Sequence, residues 1–147
     1  MAANVSNYID QPVGGSTDNI YNFGGSVKTG AGQSLKKIYL TTTLADISTA
    51  STCYVVSPVA GTISKIYSII NGAIATADSV ITGKIATTAI TDGAFTIAYS
   101  GSAAGDIDSA TPSAANTVAA GSNINFTTDG ASSNTVSAEI TIEITLS

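Results

Sequence analysis

Val136–Leu146 has the sequence VSAEITIEITL, in which apolar and polar residues alternate without a break. Alternation with a period of two places the two sets of side chains on opposite faces of a β-strand. One face would carry valine, alanine, isoleucine and leucine, and the other serine, threonine, Glu139 and Glu143. The pattern predicts a half-buried antiparallel strand, and its outer glutamates would discourage pairing with a stray strand.

Shorter apolar runs before this segment predict more strands, because their β-branched residues pack well on a pleated surface. In one of them, the spacing of Ile63, Ile66 and Ile69 would also fit a helix, but the glycines on both sides favour a strand. The expected strands are Lys37–Leu44, Thr52–Val56, Thr62–Ile70, Ser79–Thr87, Ala94–Ser100 and Val118–Thr127.

Turn residues separate these strands. Pro58 cannot donate a backbone hydrogen bond and indicates an edge strand or a bend. Asp92-Gly93 and Asp129-Gly130 predict tight turns, and Gly101–Ala115 predicts a long loop. The predicted fold class is all-β, an antiparallel β-sandwich or a jelly-roll-like barrel with an extended N-terminal arm. Jelly-roll and immunoglobulin-like topologies both fit the strand count.

The first 34 residues differ from the rest in their many glycines and sparse apolar residues. We interpret residues 1–34 as the extended arm and residues 35–147 as the β-sandwich domain. The alternative is a tail without structure of its own. The aromatic residues favour an arm that docks on a partner, since disordered tails are usually poor in them. The expected anchors are Tyr8, Ile9, Tyr21 and Phe23.

Charge excludes several classes of partner. Only 10% of the residues are charged, the net charge is −5, and arginine is absent. Phosphate backbones and anionic membranes would repel such a surface, so we expect neither a nucleic-acid nor a membrane partner. The apolar runs are too short to span a bilayer. Met1–Asp10 lacks the basic and apolar regions of a secretory signal, so none is expected.

The chain has no histidine and one cysteine. A Ser-His-Asp triad, a Cys-His pair and a zinc site are therefore excluded, and we expect no enzymatic activity, no cofactor and no metal. A carboxylate pair remains formally possible. Cys53 is interpreted as a buried small apolar residue. Asp106 and Asp108 could offer oxygen ligands to calcium, but the alternative is a solvated acidic loop.

Four stretches carry a resemblance to a known family. They lie at turns and strand edges and have the sequences SPVAGTISKIY, INGAIATAD, SGSAAGDID and AANTVAAG, at Ser57–Tyr67, Ile70–Asp78, Ser100–Asp108 and Ala114–Gly121. Together they resemble small proteins encoded beside the major capsid protein of tailed bacteriophages. The resemblance covers roughly residues 52 to 146.

The resemblance implies a capsid decoration, or cement, protein. Such a protein would bind the outer capsid surface, stabilise junctions between major capsid protein subunits, and form a homo-oligomer, either a dimer or a trimer. Its location would be the virion, after assembly in the bacterial host cytoplasm. The acidic charge agrees with the outer face of the shell, because packaged DNA is a polyanion.

Two other classes of function fit the same sequence. One is an adhesin-like or carbohydrate-binding β-module on a phage head or fibre, with its site in the loop Gly101–Ala115. The other is a subunit of a surface layer or fibre. The scarcity of aromatic residues, 6% of the chain, argues against strong sugar stacking.

Overall fold

The computed structural model of the protein describes residues 21–23, 26–28 and 36–147. This part of the chain contains strands and no helix, and therefore no helix that could cross a membrane. The strands are β1 (Tyr21–Phe23), β2 (Ser26–Lys28), β3 (Lys37–Leu44), β4 (Thr52–Val56), β5 (Gly61–Ile70), β6 (Ser79–Ile85), β7 (Thr88–Ile97), β8 (Ile107–Ala110), β9 (Thr117–Val118), β10 (Asn123–Thr128) and β11 (Ala138–Leu146).

The first two strands form a short antiparallel hairpin of their own. Tyr21 lies opposite Lys28, and Phe23 lies opposite Ser26. This hairpin falls within the predicted arm, residues 1–34. The rest of that arm, and its predicted boundary with the sandwich domain, lie outside the described residues.

The remaining strands form two packed antiparallel sheets, which confirms the predicted β-sandwich. One sheet has the order β3-β11-β5-β8, with β9 also paired to β5, and the other has the order β4-β10-β6-β7. Four strand pairs are nested, in that each pair encloses the previous one along the chain. From the innermost outwards they are β6 with β7, β5 with β8, β4 with β10, and β3 with β11. Nested pairs divided between two sheets give the strand order of a jelly roll.

Strand β11 lies in the middle of its sheet, between β3 and β5. Its inward side chains Ile140, Ile142 and Ile144 are completely buried, as the alternation predicted. The expectation that its glutamates protect an exposed edge is wrong, because both edges of β11 are paired. Each large apolar side chain in this core contributes about 1.5–3 kcal/mol through burial.

A β-bulge explains the apparent helical spacing in β5. Ile66 lies opposite Ile142 and Ile63 lies opposite Ile144, so three steps along β5 match two along β11. Ser64 is the extra residue, since Lys65 lies opposite Glu143. The bulge turns both Ile63 and Ile66 into the core, where each is 0% exposed.

The predicted turn at Asp92-Gly93 is wrong. The β6–β7 hairpin turns at residues 86–87, and Asp92 lies within β7 at a second bulge. Thr82 lies opposite Ala94 but Lys84 lies opposite Ala89, so the four residues 90–93 of β7 face the single residue Gly83 of β6. Asp92 has a φ of 55°. Aspartate tolerates this left-handed conformation in a bulge as well as in a turn, and the dipeptide alone cannot tell them apart.

Asp129-Gly130 is confirmed as a break in the chain at the end of β10, but these residues begin the connection 129–137 and do not form a tight turn. The chain leaves β10 there, Gly130 has a φ of 71°, and a Cβ atom on it would overlap the backbone of Ala50. The Asp129 carboxylate accepts hydrogen bonds from the backbone nitrogens of Val80 and Ala131. The edge or bend expected at Pro58 is also confirmed, because Pro58 follows β4, an outermost strand.

The segment Gly101–Ala115 was predicted to be a loop, but β8 lies within it. This strand pairs with β5, with Ile107 opposite Ile69 and Ala110 opposite Ile66. Four residues are too few to establish an alternation, so the pairing with β5 rather than a local pattern determines this strand.

Candidate functional site

The predicted anchor residues of the arm lie only partly within the described chain. Tyr21 and Phe23 are the first and last residues of β1. Tyr8 and Ile9 lie outside the described residues. The structure therefore brings no site together from these four residues, and their role in binding a partner stays a prediction.

The outer face of the five-stranded sheet carries a cluster of exposed apolar side chains. Tyr67 and Ile69 project from β5 and Ile107 projects from β8, and their exposed fractions are 38%, 43% and 67%. Together with Glu139 and Thr141 of β11 they line a shallow groove of about 250 Å³. We call this surface the apolar face.

Sequence reasoning missed the apolar face for two reasons. Tyr67 and Ile69 alternate with inward residues, so β5 is apolar on both sides, a pattern typical of a fully buried strand. Ile107 was assigned to a loop. One signal was available. The outer face of an antiparallel sheet usually meets water, so large apolar residues at outward positions, such as Tyr67 and Ile69, indicate a contact surface.

A polar network lies on the same sheet beyond the apolar face. The Glu143 carboxylate accepts hydrogen bonds from the Lys37 ammonium and the Ser64 hydroxyl at 2.8 and 2.7 Å, and from the Tyr39 hydroxyl at 3.1 Å. The Lys37 ammonium, followed by the Ser64 hydroxyl, lowers the pKa of Glu143 to about 2. Because the network ties β3, β11 and β5 together, we assign it to stability rather than to chemistry.

The outer face of the four-stranded sheet is different. Tyr54 of β4, Asn125 of β10 and Lys84 of β6 lie opposite one another in one row across three strands. They line a cleft of about 480 Å³ together with Thr52, Ala86, Thr87, Asn123 and Thr127. We call this site the polar cleft.

The acidic side chains and the cysteine of the described residues are the remaining groups of chemical interest. No three histidine, cysteine, aspartate or glutamate side chains come together there in a way that could bind an ion. Asp106 accepts a hydrogen bond from the backbone nitrogen of Ala103 at 2.7 Å. Burial, and to a lesser degree Asp106, raises the pKa of Asp108.

Cys53 packs against the core but is only half-buried, so its interpretation as a buried small apolar residue is confirmed in part. Burial raises the pKa of its thiol, so the reactive thiolate form is disfavoured. The tyrosine and isoleucine side chains of the apolar face, and the polar groups of the cleft, are therefore the candidates for function by contact.

No protein-family model matches the chain, and no curated protein matches it either. The apolar face, the polar cleft and the four sequence stretches are therefore the features that indicate a function.

Proposed function

We propose that this protein is a structural virion protein, a decoration or cement protein that binds the outer capsid surface of a tailed bacteriophage. The observation that carries the proposal is the apolar face, in which Tyr67, Ile69 and Ile107 stand exposed side by side on a regular sheet. Adjacent large apolar side chains on a surface are typical of a contact with another protein. The sequence resemblance supports the choice of the major capsid protein as that partner.

A single contact through the apolar face would be weak. Complete burial of a large apolar side chain contributes about 1.5–3 kcal/mol, and these three are already partly covered. Association also costs several kcal/mol in lost translational and rotational freedom. One sandwich domain alone would therefore leave the shell readily.

A second contact on the same chain would overcome this weakness. We propose that the arm, residues 1–34, binds a neighbouring capsid subunit through Tyr8, Ile9, Tyr21 and Phe23. The two attachments then act at a high effective concentration, which raises the overall affinity without any improvement in either contact. Attachment to two subunits would also stabilise the junction between them.

A homo-oligomer, dimer or trimer, fits this mechanism because the symmetry axes of a shell favour symmetric binders. The net charge of −5 supports the outer rather than the DNA-facing side of the shell. Assembly would take place in the bacterial host cytoplasm. In this proposal the protein has no enzymatic activity and binds no cofactor, nucleic acid or membrane.

Co-sedimentation of the purified protein with undecorated phage heads tests this proposal. We expect saturable binding at a fixed ratio to the major capsid protein, and light scattering of the free protein to give the mass of a dimer or a trimer. Binding that never saturates, or no binding by a protein whose circular dichroism shows a folded β-structure, would contradict the proposal.

Removal of residues 1–34 tests the contribution of the arm. Within the described residues the buried core lies between Leu44 and Ile144, so we expect the shortened protein to fold and to dissociate from heads during sedimentation. Full decoration by the shortened protein would show that the arm is not a second attachment.

A further inference from the structure

The polar cleft is organised around three side chains in register. Asn125 lies directly opposite Tyr54 on one side and Lys84 on the other. Neighbouring strands are about 4.8 Å apart, so the Cα atoms of Tyr54 and Lys84 are separated by about 10 Å. That length suits one or two six-membered sugar rings lying across the strands.

The floor of the cleft is firmly held. Asn125 is only 5% exposed, and its Nδ2 donates to the carbonyl oxygen of Ala86 at 2.8 Å. The hydroxyls of Thr52 and Thr127 are bonded to each other at 3.0 Å. These bonds fix the positions of polar groups before a ligand arrives, which lowers the entropy cost of binding.

The two ends of the row offer different chemistry. Tyr54 is 64% exposed, and a tyrosine ring combines an apolar surface with a hydroxyl that forms hydrogen bonds. Lys84 is partly buried and forms no ion pair within the described residues, where the one ion pair joins Lys37 and Glu143. Its ammonium has three protons to donate.

We propose that the polar cleft binds a neutral oligosaccharide. One hexose ring lies with its C–H bonds against the ring of Tyr54, and hydroxyl groups of the same or the next ring accept hydrogen bonds from the Lys84 ammonium. An apolar ring surface beside fixed polar groups matches the two-sided character of a sugar, which has C–H bonds on its faces and hydroxyls at its rim.

The net charge of the chain disfavours anionic ligands. Lys84 is the only charged side chain that lines the cleft, and Asp129 lines a neighbouring depression together with it. The chain as a whole carries a net charge of −5. A phosphate or uronic-acid ligand would meet long-range repulsion from this net charge, which a neutral hexose avoids.

The site is separate from the apolar face, because the two lie on the outer faces of opposite sheets. Sugar binding therefore does not depend on the proposed attachment to a capsid. If that attachment takes place through the apolar face, the polar cleft is turned towards the surrounding medium, where the glycans of a cell surface could reach it. The predicted carbohydrate site in Gly101–Ala115 is a different location.

The test uses the purified full-length protein and an array of neutral oligosaccharides, with uronic-acid oligosaccharides as the anionic set. We expect binding to members of the neutral set, confirmed for the best of them by calorimetry. No binding to any neutral oligosaccharide, or stronger binding to the anionic set, would overturn the proposal. The co-sedimentation experiment with phage heads is independent of this result, so either proposal can fail alone.

Variants then locate the binding. Tyr54→Ala should weaken it roughly tenfold or more through loss of the ring contact, Tyr54→Phe should retain most of it, and Lys84→Gln should weaken it several-fold. Tyr67→Ala on the opposite sheet is the matched control and should bind as the unmodified protein does. Equal binding by Tyr54→Ala, or equal loss in Tyr67→Ala, would place the sugar elsewhere and overturn the proposal.

Discussion

The two sheets of the sandwich share one core, yet their outer faces present different chemistry. The five-stranded sheet exposes Tyr67, Ile69 and Ile107, whereas the four-stranded sheet presents Tyr54 and Lys84 across a polar cleft. Alternation places half of each strand in the core, where any well-packed apolar side chain will serve. The outward half is free of that constraint. Function in this fold is therefore to be sought in the outward residues.

The largest effect is expected from removal of the apolar face. Replacement of two large side chains in Tyr67→Ala/Ile107→Ser should weaken attachment to phage heads by on the order of 100-fold, because both would be buried in the contact. Co-sedimentation over a range of protein concentrations measures the change. Both positions are exposed, so the thermal unfolding midpoint should remain close to that of the unmodified protein.

The matched control for this prediction is Tyr54→Ala on the opposite sheet. It removes one exposed tyrosine of the same kind and should leave head binding unchanged. Loss of head binding in Tyr54→Ala, with normal binding in the double variant, would reverse the assignment of the two faces.

The sequence predicted most strands of the sandwich, but the predicted strand Val118–Thr127 is two strands, β9 and β10, in different sheets. The bounds predicted for Lys37–Leu44 and Thr52–Val56 agree with β3 and β4, because alternation and turn residues are local signals. The bulge at Ser64 was not predictable, since it depends on where β11 lies. Strand β8 was missed because four residues gain their strand conformation from β5 and not from their own pattern.

The candidate surfaces were harder to predict than the fold. Ile69 belongs to an apolar run of the sequence, but nothing local shows that its side chain points outward while Ile70 is buried. The polar cleft joins Tyr54, Lys84 and Asn125, which are far apart in the chain and adjacent only after the strands pair. A binding site whose residues meet only when strands pair cannot be predicted from the spacing of residues along one segment.

The two sheets also differ in the hydrogen bonding of a buried serine. Ser79 of the four-stranded sheet bonds with the Thr128 hydroxyl at 3.0 Å, whereas the hydroxyl of Ser68 in the five-stranded sheet has no hydrogen-bond partner among the described residues. Ser79→Ala should lower the free energy of unfolding by about 1 kcal/mol or more, and Ser68→Ala should raise it by about 1 kcal/mol. Urea unfolding measures both changes. Destabilisation by Ser68→Ala would show that its hydroxyl is satisfied in solution.

The smallest effect concerns the polar network around Glu143 on the five-stranded sheet. This network contains the one ion pair of the described residues, and the polar cleft contains none. The folded protein holds the pKa of Glu143 at about 2, below its ordinary value of 4.5. A lowered pKa contributes stability above pH 4.5, and this contribution is lost as the pH falls towards 2. Glu143→Gln should therefore be less stable than the unmodified protein near neutral pH and nearly equal to it at about pH 2.

Urea midpoints of both proteins at these two pH values measure how far the difference in stability decreases at low pH. Glu139→Gln is the matched control. Glu139 lies four residues before Glu143 in β11, on the same outer face, and no hydrogen bond to its side chain occurs in the described part of the chain. Its replacement should leave both midpoints almost unchanged. If the loss of stability in Glu143→Gln is the same at both pH values, the side chain acts by packing against Lys37 and Tyr39. The charge of the carboxylate would then contribute nothing to the stability of the five-stranded sheet.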